Sequence, residues 1–132
     1  MSGKSPWGKY EIIFGDEDCK VKKITVNPQS RLSYQSHKCR SEVWVVISGE
    51  GKVTINDQVS TVKAHSIVEV PQGAKHRIEN THNIDDLVFI ETQLGTYFGE
   101  DDIIRYEDDY GRHRKNWSTS YNLKWGEEED LL

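Results

Sequence analysis

From residue 20 to residue 94 the chain is a series of short runs rich in Val, Ile and Thr, each closed by Gly, Pro, Asn or Asp. That punctuation leaves room for little besides strands and turns. The runs fall at 20–26, 32–37, 42–48, 52–56, 59–62, 66–70, 76–80 and 87–93, and a further strand is predicted over 9–14. Strands this short at this spacing predict an all-β fold, a sandwich or a small barrel. The run 42–48 is apolar on both faces through Val43, Trp44, Val45, Val46 and Ile47. Such a strand should be covered by the core on one side and by a second sheet or subunit on the other.

Period-two alternation then sorts the polar residues. With Gln35 and His37 inward, Glu42 inward with Trp44 and Val46, and His76 inward with Ile78, the predicted interior also takes Lys22, Glu91 and Gln93. That set is too polar for an ordinary core, because each such group buried without a partner costs a few kcal/mol. A metal and a water-filled pocket remove the difficulty. Two neutral imidazoles and a carboxylate make a first-row metal site, with an amide oxygen as a tolerable fourth donor. Gln35, His37, Glu42 and His76 are therefore the candidate ligands, and the donor set suits a metal with open positions.

Composition narrows the partners. At 132 residues the chain has the size of one domain, able to bury about two-thirds of its unfolded surface. A formal charge of −5 disfavours nucleic acid and anionic membrane, although a local Lys/Arg cluster could still hold a small phosphorylated molecule. Cys19 and Cys39 are the two cysteines, the N-terminus has no apolar signal segment, and no run approaches a membrane span. A cytoplasmic protein with reduced thiols is expected. Residues 1–112 are read as the domain and 113–132 as a polar tail anchored at most by Trp117 and Trp125. Glu100-Asp101-Asp102 is expected to cap a short helix reaching Tyr106. His65, His82 and His113 are read as surface or structural residues, and Cys39 as a small buried or half-exposed thiol.

Two motifs carry a family likeness. Gln35-x-His37-x4-Glu42-x6-Gly49 and Pro71-x-Gly73-x2-His76-x3-Asn80 match the paired motifs of the cupins, with Gln in place of the usual first His. With Trp44-Val45-Val46-x-Ser48-Gly49, His76-Arg77-x-Glu79-Asn80 and the stretch from Gly99 to Arg112, the chain resembles the type II phosphomannose isomerases. These include the isomerase domain of bifunctional phosphomannose isomerase/mannose-1-phosphate guanylyltransferases. The family often has His where Cys39 and Val43 stand, so a histidine beside the ligands that would assist proton transfer is missing. No nucleotidyltransferase domain precedes the motifs, and guanylyl transfer is not expected of this chain alone.

The resemblance implies a cupin barrel and a mannose-6-phosphate isomerase, interconverting mannose 6-phosphate and fructose 6-phosphate through an enediol. It implies a divalent metal on the four ligands, with Zn the choice that the donor types favour. Lys22 and Arg112 are candidates for positioning the substrate and stabilising its charge, and Glu91 for the base. Arg40 is a phosphate contact or a neutraliser of Glu42, and Tyr110 is a second substrate-binding candidate. A homodimer burying Val43, Val45 and Ile47 is expected, with residues around Trp7 crossing over. The rivals are a non-catalytic sugar- or nucleotide-sugar-binding cupin with a structural metal, and another metal-cupin enzyme such as a dioxygenase.

Overall fold

The computed structural model describes residues 2–112, and every element in it is a strand. In chain order these are β1 (Ser2–Ser5), β2 (Gly8–Gly15), β3 (Cys19–Val26), β4 (Tyr34–Ser36), β5 (Arg40–Ser48), β6 (Glu50–Ile55), β7 (Gln58–Lys63), β8 (Ile67–Val70), β9 (His76–Glu79), β10 (Leu87–Gly95) and β11 (Ile104–Glu107). They form a six-stranded sheet, β1-β2-β3-β10-β5-β8, and a five-stranded sheet, β11-β4-β9-β6-β7. All their pairings are antiparallel. The β-branched runs thus pair as a double-stranded β-helix of the cupin kind, as expected. The predicted tail, with Trp117, Trp125 and His113, lies outside the described residues.

Turn chemistry fixes two of the corners. Asn56 and Asp57 both have positive φ, 47° and 69°, and form the two-residue hairpin between β6 and β7, where such conformations match the strand twist. Asp57 is further held by Tyr34, whose hydroxyl lies 2.8 Å from both its amide nitrogen and a carboxylate oxygen. Gly49, at φ 89°, separates β5 from β6, and a Cβ there would lie 2.4 Å from the carbonyl oxygen of Asp86. No other residue fits that corner without moving the backbone.

The interior divides along the strands into two halves. Read along β3 the inward residues are Lys22, Ile24 and Val26; along β10 they are Leu87, Phe89, Glu91 and Gln93; along β5 they are Arg40, Glu42, Trp44 and Val46. In register, the polar positions of these three strands fall side by side, as do the apolar ones. One half of the barrel is a packed core of Trp7, Ile24, Val26, Val46, Val53, Ile78, Leu87 and Phe89. Burying side chains of this size contributes roughly 1.5–3 kcal/mol each. The other half is lined with charge, and it is the half toward which both sequence motifs point.

Two expectations change here. The helix predicted over 100–106 is absent: residues 104–107 form β11 beside β4. Of the acidic residues before it, Asp102 caps backbone N–H groups of a different segment, described below, Glu100 binds Lys20 and Lys22, and Asp101 accepts from the Tyr97 hydroxyl. Trp7 lies wholly buried in its own chain's core rather than reaching toward a partner. Val45 and Ile47 are 38% and 48% exposed, so the outer face of β5 is uncovered in the single chain. Among the described residues no helix is long and apolar enough to cross a membrane.

Candidate metal centre

Strands β4, β5 and β9 and the loops beside them converge on the polar half of the barrel. Gln35 on β4 stands directly opposite His76, the first residue of β9, so the two share a face. His37 follows β4, and Glu42 lies on β5 with its side chain turned inward. The turn carrying Pro71 and Gly73 is tied back to the first motif: Gly73 N–H donates to the His37 carbonyl at 3.0 Å, and Gln72 Nε2 donates to the Lys38 carbonyl at 2.6 Å. The two motifs, distant in sequence, are therefore joined by one backbone hydrogen bond and one from the Gln72 side chain.

The imidazoles are oriented for ligation. His37 Nδ1 lies 2.7 Å from the Asp102 carbonyl oxygen and His76 Nδ1 lies 3.0 Å from that of Ala74. A carbonyl can only accept, so each Nδ1 carries the proton and each Nε2 keeps a lone pair. Both Nε2 atoms lie near Glu42, His37 Nε2 at 3.4 Å from Oε2 and His76 Nε2 at 3.9 Å from Oε1, and the His37 Nε2 lone pair also accepts from Arg40 Nη2 at 3.2 Å. All three donor atoms lie within 4.8 Å of one another. Donors around a tetrahedral zinc at about 2.0–2.1 Å would sit roughly 3.3 Å apart, so the spacing is of the right order. Gln35 Oε1 is buried and has no hydrogen-bond partner, as an amide oxygen kept for a cation would be. The cavity between these groups is about 10 Å³, on the scale of one ion or one water. The residues present fit a divalent metal.

Electrostatics agree with neutral imidazoles and an ionised carboxylate. Burial pushes His37 down to about 4, against the opposing pull of Glu42, and burial likewise lowers His76. Burial would raise Glu42, but the Arg40 guanidinium beside it outweighs burial and holds the carboxyl well below its usual range. Arg40 Nε donates to Glu42 Oε2 at 2.8 Å, and Trp44 Nε1 donates to Oε1 at 2.9 Å, so both carboxylate oxygens are fixed. Glu91, opposite Trp44 on the next strand and diagonal to Glu42, is pushed up to about 8 by burial and then by the Glu42 charge. Gln93 Nε2 donates to its Oε2 at 2.7 Å.

The structure gathers some of the remaining candidates and separates others. Arg40 and Glu91 line the cavity with the four ligand candidates. Lys22 is the register partner of Glu91 on β3 and is fully buried, its Nζ contacting Glu100 and lying 5.0 Å from the Tyr10 ring centroid. Arg112 and Tyr110 do not line the cavity. Arg112 is buried on Asp108, donating to Oδ2 from its backbone N–H at 2.7 Å and from Nε at 2.9 Å, and Tyr110 packs against the apolar core.

Sequence reasoning missed the loop between β10 and β11. Asp102 receives His37 through its carbonyl, and its carboxylate accepts the backbone N–H groups of Lys38 at 2.9 Å and Cys39 at 2.9 Å. Glu100 in the same loop bridges Lys20 and Lys22. No local pattern announces that a carboxylate will cap a segment more than sixty residues away.

The cupin domain of Cnp3 from Schizosaccharomyces pombe superposes with a TM-score of 0.63 at 17% identity, covering 66% of this chain and 64% of that one, which places the fold among the cupins. Residues 2–108 match the family described as "Mannose-6-phosphate isomerase C-terminal", and the chain belongs to that family. "Mannose-1-phosphate guanylyltransferase ManC" of Salmonella typhimurium is 46% identical over 107 residues, which is 81% of this chain and 22% of that protein. "Xanthan biosynthesis protein XanB" of Xanthomonas campestris is 44% identical, over 81% of this chain and 23% of that protein. The chain thus spans under a quarter of the length of these relatives.

These findings correct the expected enzyme. The relatives matching along the chain include several named for guanylyl transfer to mannose 1-phosphate and not for isomerisation of mannose 6-phosphate, so the assignment as a mannose-6-phosphate isomerase is withdrawn. Mannose-phosphate metabolism is what the family and these relatives share.

Proposed function

We propose that the chain is a metal-holding, sugar-phosphate-binding cupin domain whose ligand is a phosphorylated mannose. The observation that carries this reading is the pair of carbonyl-tied imidazoles aimed at Glu42, with the unpartnered Gln35 oxygen completing the donor set. Gln35, His37, Glu42 and His76 would hold the ion, and zinc suits two imidazoles and a carboxylate. When bound, such an ion supplies a Lewis acid to a sugar oxygen. The chain's own groups do the rest. Arg40, with Nη1 buried and unpartnered, offers a cation to the cavity. Glu91 keeps its proton at neutral pH and so offers a donor to a sugar hydroxyl, and Lys22 supplies charge for the phosphate. Arg112, committed to Asp108, and Tyr110, packed on the core, take no part in this proposal.

Calorimetric titration tests it. The zinc-loaded chain should bind mannose 6-phosphate, bind glucose 6-phosphate and free mannose more weakly, and lose this binding on chelation. Absence of binding by the loaded chain, or equal binding after chelation, would overturn the proposal. We also propose that the uncovered outer face of β5 pairs with a second copy. Val45, Ile47 and Ile67 form an apolar surface there, as the expected homodimer requires.

A further inference from the structure

We infer that Lys20 and Lys22 form a subsite for a phosphate dianion, and that Glu100 on the β10–β11 loop is the carboxylate which that phosphate displaces. The inference rests on the phosphorylated-ligand reading and names where the phosphate goes. Both lysines point inward from β3 two residues apart; Lys22 is wholly buried and the Lys20 side chain is 16% exposed. Their ammonium groups meet at one atom, Glu100 Oε1, with Lys20 Nζ at 2.9 Å and Lys22 Nζ in direct contact. Two cations sharing a single anionic oxygen is the arrangement that a phosphate oxygen takes. One carboxylate against two ammoniums also leaves a positive charge over, in a place where burial makes charge costly.

The second observation concerns the ground between these lysines and the metal cluster. In register, Lys20 faces Gln93 and Gln93 faces Glu42, while Lys22 faces Glu91 and Glu91 faces Trp44. The lysines therefore sit two strands from Glu42 on the same inner face, about 10 Å between backbones. Gln93 stands midway, fully buried, and its Oε1 has no hydrogen-bond partner. An orphaned acceptor costs about 1–3 kcal/mol unless something donates to it, and a sugar hydroxyl lying between metal and phosphate would do so. A phosphorylated hexose with one oxygen at the cluster and its phosphate on the lysines passes over Glu91 and Gln93.

Glu100 is placed to yield. It comes from a loop rather than a strand, so moving it breaks no ladder pairing; besides its own contacts, that segment supplies Lys20 Nζ with the Phe98 carbonyl at 3.2 Å. The far end of the loop stays pinned by Asp102 on the Lys38 and Cys39 amides. A phosphate dianion gives the lysines more charge and more acceptor oxygens than the carboxylate does. Exchange of one for the other is therefore favourable once the phosphate is tethered to a bound sugar.

The test titrates inorganic phosphate, and separately mannose 6-phosphate, into the zinc-loaded full chain and its variants. Glu100→Gln should bind inorganic phosphate roughly tenfold tighter, the scale of one opposing charge removed at a partly screened site. Lys20→Gln should bind it roughly tenfold more weakly. Circular dichroism checks the fold of each, and if Glu100→Gln fails to fold with Lys22 left unpaired, Lys20→Gln decides alone. Unchanged phosphate affinity in Lys20→Gln, or unchanged or weaker affinity in folded Glu100→Gln, overturns the subsite, because a purely structural ion triad would behave that way. If phosphate follows the lysines while mannose 6-phosphate binds no better than phosphate, the subsite stands and the phosphorylated-mannose reading falls.

Discussion

Each imidazole at the centre is defined by what holds its other nitrogen, and that makes its protonation a stability term. Burial moves His37 from 6.5 to about 4, so between those values the unfolded chain binds a proton that the folded chain does not. Stability then falls as pH drops through that window, by roughly 3 kcal/mol for a shift of this size. His76 is moved in the same direction. Glu91 is moved up from 4.5 to about 8, so the folded chain keeps a proton that the unfolded chain has released, and stability falls as pH rises toward 8. Two imidazoles outweigh one carboxyl below about pH 6.5, and above it Glu91 sets the fall toward 8, while Lys22, lowered by burial, works in the opposite direction. Urea midpoints of the metal-free chain should therefore peak near neutrality, and Glu91→Gln should abolish the alkaline decline; a decline that persists in the variant contradicts the assignment. Asp102→Ala should leave the chain folded yet weaken zinc binding by about 10–100-fold in a chelator competition, since Asp102 fixes the segment that carries His37. Unaltered affinity would mean that the clamp does not position the ligand.

At the scale of elements, β5 joins core to site. Trp44 packs on Phe89, 5.1 Å between ring centroids, and on His76, 5.7 Å, while its indole N–H donates to Glu42. Trp44→Phe keeps most of the packing but removes that donor. It should lower the unfolding free energy from urea titration by only about 1–2 kcal/mol while reducing zinc affinity measurably. Equal affinity for both chains would show Glu42 to be held by Arg40 alone. β5 also shows what the sequence makes legible. Its alternation put Glu42, Trp44 and Val46 inward, and the same rule placed Lys22, His76, Glu91 and Gln93 correctly, because a period of two is a local property. The strand β1, Ser2–Ser5, was not foreseen: its residues carry no apolar pattern and pair only because β2 is there. The acidic run before β11 was misread as a helix start because its caps are tertiary. The roles of Arg112 and Tyr110 rested on likeness rather than pattern, and neither residue lines the cavity.

For the molecule as a whole, the six-stranded sheet shows an apolar outer surface to solvent. Phe14, Val45, Ile47 and Ile67 are 51%, 38%, 48% and 68% exposed. Sedimentation at micromolar concentration should give a dimer, and Ile47→Lys with Ile67→Lys should return it to a monomer without unfolding. A clean monomer for the unaltered chain would leave this face without the proposed partner. The imidazoles and carboxylates of the two motifs lie buried together in one half of a barrel whose other half is ordinary core, and on the proposed reading a metal is the reason. The most direct test is a crystal grown with zinc and measured at the zinc absorption edge. One anomalous peak per chain is expected, within about 2.0–2.2 Å of His37 Nε2, His76 Nε2, a Glu42 oxygen and Gln35 Oε1. A peak only at surface carboxylates, or none inside the barrel, would contradict the account.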